Sequence, residues 1–525
     1  MKKLNILLLL SCLLGCFSCD DFLAETPSDE LTPESTQAFS ELLLYEGYLP
    51  SNQQVSEMLP FLDDDIASNY PYSEYAFEVG YDEEAMEKRL YYTWQPRAVD
   101  EIMNSKDGGI SSTASGRVPW QSHFKCILGC NIVLANVDES IGMEIDKSFL
   151  KGEALCLRAF HYFQLVNLYG WPYNDKKNDP KTSLGVPIIT NPEIGVLSVA
   201  RNTVDEVYAL IVEDIENSVK YFDEGKKEMN HKYRVSPLVA HLLASRIYLY
   251  MENWDKALEH AKVVMEQKEL CDYTQGMPES IFTAENDDIL WMFGKKEDVC
   301  ALRETASMSS AFVGSYAFYE NFENEEWTDC RAAGFFEVSR DSVFETGYDP
   351  ETYEPFKNLV STSVTVAVKK YLGVSEDYTR GLRVTEAYLN AIEALLGQYK
   401  EGNTQAGTEA LRQLNNFRAK RYLTTSGSPI SNLEMKSADE LIEIYRLERR
   451  KELCYEGHRW FDLRRFGMPR LEKHWMTDEK GNYEKYVLEE HDPLYVLEIP
   501  AYVLNLNPGL QPNETLSSPR IPVNL

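Results

Sequence analysis

The sequence lacks an excess of basic residues, and this absence excludes one class of partner. Its 525 residues include 52 Lys and Arg against 84 Asp and Glu, a formal net charge of −32. Proteins bind a nucleic acid backbone through Lys and Arg that displace its counterions, so this chain is unsuited to nucleic acid. With 44% hydrophobic and 26% charged residues, its composition is that of an ordinary folded protein.

The sequence also lacks the spacings of a metal site, a disulfide framework or a nucleotide loop. Of its 10 cysteines, the seven beyond Cys19 never form CxxC, and its 8 histidines never form HExxH. Beyond residue 19 we expect most of the cysteines to be small core residues. No phosphate loop, dinucleotide fingerprint or Ser-His-Asp order is present, so we predict neither cofactor nor metal. The run Asp63-Asp64-Asp65 lacks the alternating spacing of a calcium loop and favours a solvated acidic loop.

Long hydrophobic runs are absent except at the N-terminus. Residues 1–18 join a basic start to an apolar run that is too short for a transmembrane helix, which is typical of a secretory signal peptide. Leu13-Leu14-Gly15-Cys16 has the better local pattern for bacterial lipoprotein processing, whereas Cys19 directly precedes an acidic and apolar start. A plain secreted signal is the third interpretation. The polar, Pro-containing residues 19–36 are predicted to tether the folded body to a membrane surface.

Helical periodicity is what the sequence has in abundance. Apolar residues recur every three or four positions in residues 236–267, with a break at Glu252-Asn253, and in residues 383–421, with a turn at Glu401-Gly402-Asn403. The first pair has the small and aromatic positions of a tetratricopeptide repeat. Less regular pairs occur at 120–137 with 150–169, and at 204–222 leading into the helix at 236. We therefore predict an all-α fold, a tetratricopeptide-type scaffold with irregular insertions and a few short strands such as Ile289–Phe293 and Gly185–Ile189.

The stretch GEALCLRAFHYFQLVNLYGWPYN, residues 152–174, shows how such a helix is built. Its apolar residues follow a four-three spacing and form one helix face, which predicts core packing and not a cofactor site. The helix is expected to end by Trp171 because Pro172 disfavours helical geometry before it. Arg158 is expected to pair with a carboxylate in the packed interface.

Four stretches together resemble the SusD/RagB family of outer-membrane nutrient-uptake lipoproteins. Residues 152–170 are similar to its GEAxxLRAxxYFxLVxLYG run, and LERRKELCYEGHRWFDLRRFG, residues 447–467, resembles its ER-x-x-EL-x-x-EGHR-x-FDL-x-R-x-G segment. The ending LYVLEIPAYVLNLNPGLQPN, residues 494–513, resembles the family's close, although the chain continues beyond it. The start CDDFLAETPSD resembles the family's mature N-terminus, and this resemblance favours Cys19 over Cys16 as the lipidated residue.

The resemblance implies a role as well as a fold. It implies a surface lipoprotein that binds extracellular oligosaccharide without catalysis and serves a SusC-like TonB-dependent transporter. It also divides the chain into an N-terminal part at 37–271, an irregular insertion at 272–380 and a C-terminal part at 381–525. The carboxylates and His458 of residues 452–462 then belong to the framework. A helix would place Glu456 near Glu452 and Arg459, and His458 near Asp462, so we expect their charges to neutralise one another in the helix interface. The alternatives are a peptide-binding RagB-like lipoprotein, a secreted all-α glycoside hydrolase with a carboxylate pair across a cleft, and a transporter lid that binds no nutrient itself.

Two segments with poor helical periodicity, near 63–119 and at 272–380, are the candidates for ligand binding. A sugar presents apolar C–H faces and hydroxyls, so a glycan site needs exposed aromatic rings with polar neighbours. Trp94 is the first candidate because it lies beyond any helical stripe. The others are Tyr70, Tyr72, Tyr75, Tyr92 and Arg97 in the first segment, and Tyr316, Tyr319 and Trp327 in the second. The alternative for each ring is that it packs its loop onto the scaffold.

Overall fold

The structure is a computed structural model that describes most of the chain. It covers residues 33–49, 58–70, 81, 83–105, 119–192, 198–225, 231–278, 280–293, 311–348, 355–370, 380–478 and 481–523. The predicted signal peptide, Cys16, Cys19, most of the predicted tether, Tyr72 and Tyr75 lie outside these residues. Within the described ranges, no helix is both long enough and apolar enough to cross a membrane.

The N-terminal part consists mainly of helices. Ser35 begins the first helix by accepting a hydrogen bond from the Ala38 N–H, and Ser236 with Pro237 begins a later one in the same way. The helices are α1 Thr36–Glu46, α2 Leu59–Leu62, α3 Glu83–Tyr92, α4 Ala98–Ser105, α5 Pro119–Asn136, α6 Glu144–Tyr169, α7 Val204–Gly225, α8 Pro237–Tyr250 and α9 Trp254–Gln267.

The chain after residue 271 alternates strands with helices before it returns to paired helices. Its strands are β2 Ile289–Phe293, β3 Phe312–Gly314, β4 Trp327–Asp329, β5 Phe336–Tyr348, β6 Pro355–Val368, β7 Arg380–Arg383, β8 Tyr422–Thr424, β9 Leu471–Met476 and β10 Tyr483–Leu488, and the N-terminal part adds β1 Ile66–Ser68. Its helices are α10 Tyr316–Tyr319, α11 Cys330–Phe335, α12 Val384–Lys400, α13 Thr404–Ala419, α14 Ala438–Leu453, α15 Arg459–Arg465 and α16 Ala501–Leu506.

The paired helices are those that the periodicity predicts, and the all-α fold is confirmed. The connection between α8 and α9 falls at Glu252, and Asn253 caps α9 through the Lys256 N–H. The connection between α12 and α13 uses Gly402 at φ 105°, a left-handed conformation that favours glycine, followed by Asn403 as the cap of α13. Helix α9 packs on α12, so the two pairs stack as neighbouring repeats.

The strands depart from the prediction in two places. Residues 185–189 form no strand, and only an isolated bridge between Leu184 and Thr203 marks this segment. The segment 272–380, expected to be irregular, contains the long antiparallel hairpin β5–β6, in which Phe336 pairs with Val368 and Tyr348 with Pro355. This hairpin belongs to a four-stranded sheet of order β1-β3-β6-β5, which joins the two segments that the sequence analysis singled out.

The three internal stretches that carry the family resemblance meet at the C-terminal end of α6. The Leu497 N–H donates to the Leu168 carbonyl oxygen at 2.8 Å, and the Asn513 amide donates to the Tyr169 carbonyl oxygen at 3.0 Å. Arg464 donates to the carbonyl oxygen of Gly170, which ends this helix. Each of these three carbonyl groups has lost a partner within the helix, so the contacts satisfy its end.

Two further predictions about the core hold. Arg158 pairs with Asp214 through two parallel hydrogen bonds of 2.8 and 2.7 Å, as expected for a guanidinium on a carboxylate. The six described cysteines beyond residue 19 form no disulfide with one another, and four of them are buried. They are Cys126, Cys130, Cys156, Cys271, Cys330 and Cys454.

Candidate ligand-binding site

Trp94 and Tyr92, the leading aromatic candidates of the first segment, lie in the core. Trp94 is only 2% exposed, and its indole N–H donates to the Leu62 carbonyl oxygen at 2.8 Å. The Tyr92 hydroxyl donates to the His474 carbonyl oxygen on β9 at 3.1 Å. The expected exposure of these two rings is wrong, because the β9–β10 hairpin packs over them. The Lys473 ammonium lies 4.5 Å from the Tyr92 centroid and 4.7 Å from the Trp94 centroid.

The remaining described candidates of the first segment are closer to the surface. Tyr70 is half-buried and meets Tyr81 edge-on at 5.3 Å between ring centroids. Tyr81 in turn lies 4.2 Å from Trp475, and burial raises the pKa of its hydroxyl to about 12. Arg97 is exposed, and its backbone N–H donates to the Glu498 carboxylate. Tyr70 is therefore the one described aromatic candidate of this segment that retains solvent exposure.

The acidic run Asp63-Asp64-Asp65 is not the solvated loop that the sequence suggests. Asp63 and Asp65 are buried, Asp64 is bound by Arg459 at 2.6 and 2.9 Å, and Asp65 by Arg450 at 2.8 Å. Although burial acts in the opposite direction, these two guanidinium groups lower the pKa of Asp64. No cluster of three metal-ligating side chains occurs within the described ranges.

The carboxylates of residues 452–462, the most enzyme-like stretch, are locked by guanidinium groups. Glu452 is fully buried and binds Arg421 at 2.8 Å, Arg383 at 3.3 Å and Arg331 at 3.4 Å. Burial opposes its ionisation, yet Arg421 and Arg383 lower the pKa of Glu452. The expectation that charges of this stretch neutralise one another is wrong for Glu452, because its partners Arg383, Arg331 and Arg421 lie in β7, in α11 and directly before β8. Asp462 does pair with Arg465 of its own helix at 2.8 Å.

The same buried network fastens the second insertion to α14. Glu456 binds Arg383 at 2.7 Å and Lys370 at 2.6 Å, and Arg331 joins Asp329 at 2.8 Å to Glu448 at 2.7 Å. Removing one partner of such a buried pair leaves an uncompensated charge, which is strongly destabilising. The network therefore gives the insertion a rigid base, as the framework interpretation of this stretch requires.

Tyr316 and Tyr319 lie together on this rigid base. Both belong to the short helix α10, which Ser315 begins by accepting a hydrogen bond from the Phe318 N–H. Their rings are nearly parallel, with 6.3 Å between centroids and 27° between planes, and both are half-buried. Phe318 of the same helix is buried, and the Arg450 guanidinium lies 4.5 Å from its centroid. Two aromatic rings are thus presented side by side at the surface.

Charged groups border this pair of rings. Arg340 on β5 binds Glu323, and its side chain is 54% exposed. Its hydrogen bond to Glu323, and after it that to Tyr316, raises the pKa of Arg340. Burial, followed by the charge of Glu323, raises the pKa of Tyr319, so its hydroxyl remains a proton donor at neutral pH. We call Tyr316, Tyr319, Glu323 and Arg340 the tyrosine surface.

Trp327 extends the aromatic run from the tyrosine surface. Tyr319 lies 6.4 Å from Phe322, and the Lys451 ammonium lies 5.0 Å from Phe322 and 5.5 Å from Trp327. The Trp327 ring is half-buried and meets Tyr422 edge-on at 4.9 Å. The second patch expected from the sequence is therefore brought together along residues 316–327. Sequence reasoning missed Glu323 and Arg340, because only the β5–β6 hairpin, which carries no signal in the periodicity, places Arg340 beside Tyr316.

Comparison with known proteins agrees with this architecture. Residues 21–249 match a family described as starch-binding proteins associating with the outer membrane, and residues 325–515 match the SusD family. A SusD-like protein of Formosa agariphila is 21% identical over 517 residues, covering 89% of this chain and 90% of that protein. A second SusD-like protein of the same organism is 24% identical, covering 75% of this chain and 79% of its own.

Solved structures show the same fold. A SusD-like carbohydrate binding protein from Bacteroides vulgatus superposes with a TM-score of 0.63 at 19% identity, covering 91% of this chain and 97% of its own. A SusD superfamily protein from Bacteroides thetaiotaomicron gives a TM-score of 0.63 at 21% identity, covering 92% and 100%. With the two family models spanning most of its length, the chain belongs to the SusD/RagB family.

Proposed function

We propose that this protein is an outer-membrane lipoprotein that binds an extracellular oligosaccharide without catalysis and delivers it to a SusC-like TonB-dependent transporter. The observation that carries the binding step is the tyrosine surface. Sugar rings stack their C–H faces on aromatic rings, and their hydroxyls bind flanking charged side chains. Tyr316 and Tyr319 supply the rings, while Glu323 accepts and Arg340 donates hydrogen bonds beside them.

The non-catalytic part of the proposal rests on the state of the carboxylates. A glycoside hydrolase needs two carboxyl groups facing one another across an accessible cleft. Glu452, Glu456 and Asp462 are buried, and each is bound by guanidinium groups that keep it in the framework. The names of the relatives support the same assignment, since one solved neighbour is described as a carbohydrate binding protein.

Attachment to the outer membrane rests on the family description and on the N-terminal sequence. The matching model describes proteins that associate with the outer membrane. We propose lipidation of Cys19 after removal of residues 1–18, followed by the tether at 19–36. Radiolabelled palmitate in cells should then label the wild-type chain and C16A, whereas C19A should remain unlabelled. Labelling of C19A with loss of label in C16A would move the anchor to Cys16.

Affinity electrophoresis against plant, host and microbial polysaccharides, with reducing ends assayed in the same samples, tests the binding step. We expect one polymer to retard the protein without new reducing ends. The double variant Y316A/Y319A should lose this retardation. The matched control Y45A, which removes a lone tyrosine that is 76% exposed on α1, should keep it.

The other outcomes separate the alternatives. New reducing ends would show hydrolysis and overturn the non-catalytic role. Retardation that survives Y316A/Y319A would move the glycan site away from the tyrosine surface. If no polymer retards the wild-type protein, an oligosaccharide is not its ligand, and peptide binding or a lid that binds no nutrient takes its place.

A further inference from the structure

A second cleft lies on the repeat helices and not on either insertion. It has a volume of about 310 Å³ and lies where α8, α9, α12 and α14 come together with the segment after α6. Small-ligand sites in proteins have volumes of about 300–1,000 Å³, so this cleft suits one or two sugar rings. None of the candidates from the sequence analysis lines it, and the function proposed above does not use it.

Trp254 forms the aromatic wall of this cleft. One face of its ring packs against Gly397 so closely that a Cβ there would lie 2.4 Å from the indole. Its indole N–H donates to Glu401 at 2.9 Å, which fixes the ring orientation. The ring remains half-buried, so part of it faces the cleft. A ring held rigidly in this way loses little conformational entropy when a sugar packs on it.

Glu252 contributes an acceptor from the turn between α8 and α9. It adopts φ 57°, a left-handed conformation that is strained for a residue with a side chain. Its carboxylate accepts from the Asn174 amide at 2.9 Å and from Lys176 at 3.4 Å. The turn thus holds a carboxylate against the cleft, where it can accept hydrogen bonds from hydroxyl groups.

Three cations line the cleft with part of each side chain exposed to solvent. Lys176, Lys400 and Arg446 are 82%, 62% and 36% exposed, and they face Glu252 and Glu401. Each of these cations is paired with a solvent-accessible carboxylate: Lys176 with Glu252 at 3.4 Å, Lys400 with Asp439 at 2.8 Å and Arg446 with Glu443 at 2.8 Å. Exposed ion pairs of this kind are weak, so a ligand carboxylate can take the place of Asp439 or Glu443. Arg446 stacks on Phe466 at 4.2 Å, and its buried Nε has no hydrogen-bond acceptor among the described residues. A guanidinium oriented by stacking is suited to binding an oxyanion.

We propose that this cleft is a second carbohydrate site and that it binds a sugar unit carrying a carboxylate, a uronic acid. Arg446 and Lys400 would bind the carboxylate, Trp254 would pack on the sugar ring, and Glu252 and Glu401 would accept from its hydroxyls. Helix α14 links this site to the tyrosine surface, since Arg450, one turn after Arg446, lies under Phe318. The proposal rests on glycan binding as the function, but on a different set of residues.

Isothermal titration of the purified protein with digalacturonate, and with the neutral digalactose of the same linkage, tests this site. The two ligands share ring shape and linkage and differ in the carboxylates. We expect digalacturonate to bind and neutral digalactose to bind at least tenfold more weakly. R446Q and W254F should each weaken digalacturonate binding about tenfold or more. R412Q is the matched control, because Arg412 forms the same kind of exposed pair with Glu409 that Arg446 forms with Glu443.

Binding should also weaken as salt is raised, because screening reduces the attraction of the exposed cations for the ligand. Equal affinity for both disaccharides, or no effect of R446Q and W254F, would overturn the proposal. Loss of digalacturonate binding in Y316A/Y319A with no loss in R446Q would assign the uronate to the tyrosine surface. Absence of digalacturonate binding, with polysaccharide retardation still dependent on the tyrosine surface, would remove this second site and leave the proposed function standing.

Discussion

The two candidate binding segments, near 63–119 and at 272–380, use their aromatic residues in opposite ways. In the first, Tyr92 and Trp94 are covered by the β9–β10 hairpin, and Lys473 fills the space beside their rings. In the second, Tyr316 and Tyr319 sit on top of a buried base and keep part of their surface exposed. Aromatic density is similar in the two sequences. Whether the aromatic rings are buried or exposed depends on whether a later element of the chain covers them.

The buried cations near the two groups of rings also differ in how they are compensated. Lys473 donates to the Phe61 carbonyl oxygen at 2.7 Å in the interior, and burial lowers its pKa to about 7. Under the second insertion, Arg331 and Arg383 each meet several carboxylates. Buried ion pairs thus hold the segment 272–380 on the scaffold, so its outer surface does not have to pack against other elements.

The largest expected effect comes from breaking that anchor. R383M removes the ion-pair partner of buried Asp288 and one of the cations that compensate Glu452 and Glu456. We expect a loss of about 3–5 kcal/mol in the free energy of unfolding, measured by chemical denaturation. R412M, which breaks an exposed pair with Glu409, should cost less than about 1 kcal/mol. Equal effects of the two variants would show that the buried network does not anchor the insertion.

A matched pair of tryptophan substitutions tests the comparison directly. W94F removes a buried N–H that satisfies the Leu62 carbonyl oxygen, so we expect a loss of about 1–3 kcal/mol in unfolding free energy. Its glycan affinity should not change. W327F acts on a half-buried ring at the end of the tyrosine surface, and its stability should stay within about 0.5 kcal/mol of wild type. Glycan affinity that falls in W94F and not in W327F would reverse the assignment of the two insertions.

The helical scaffold could be predicted from sequence because its signal is local. The break at Glu252-Asn253 and the turn at Glu401-Gly402-Asn403 carry their own capping and turn residues, and the structure places helix ends there. The motif at residues 152–170 likewise forms the predicted core helix. Each of these features depends on residues within a few positions of one another.

The site could be predicted only in part, because its geometry depends on contacts between distant residues. Trp94 lies against Lys473 of β9, which is far later in the chain, and no periodicity near residue 94 reports this contact. Arg340 reaches Tyr316 only through the β5–β6 hairpin and its pairing with β3. Tyr316 and Tyr319 could be identified as candidates because they are aromatic residues in a segment with poor helical periodicity, where binding residues are common.

Acid should destabilise the helical core around His161 before it affects the tyrosine surface. His161 donates from Nε2 to the Gly47 carbonyl oxygen and pairs with His123 through Nδ1 at 2.9 Å. Burial lowers the pKa of His161 to about 4, below its unfolded value of about 6.5. Between these values the unfolded chain binds more protons, so stability falls as the pH falls from about 6.5 to 4.

Denaturant unfolding at pH 7 and pH 5 measures this effect, which we expect to be on the order of 1–2 kcal/mol for this histidine. H161Q keeps a donor for the Gly47 carbonyl oxygen but cannot titrate, so its loss between the two pH values should be smaller than in the wild type. H231Q, at an exposed histidine, should match the wild type. A loss in H161Q equal to that of the wild type would assign the acid sensitivity to other groups.

The smallest expected effect is the one that tests the polar edge of the tyrosine surface. R340Q removes the charge beside Tyr316. Because the Arg340 side chain is exposed, this substitution does not disturb the core. We expect the dissociation constant for the bound polysaccharide to rise about three- to tenfold, because a donor to sugar hydroxyls is weakened while both rings remain. R470Q, another exposed guanidinium paired with a glutamate, is the control and should bind as the wild type does. An R340Q affinity equal to that of R470Q would mean that the rings bind the glycan without Arg340. The segment 272–380 would then differ from the segment near 63–119 only in that its aromatic rings are exposed.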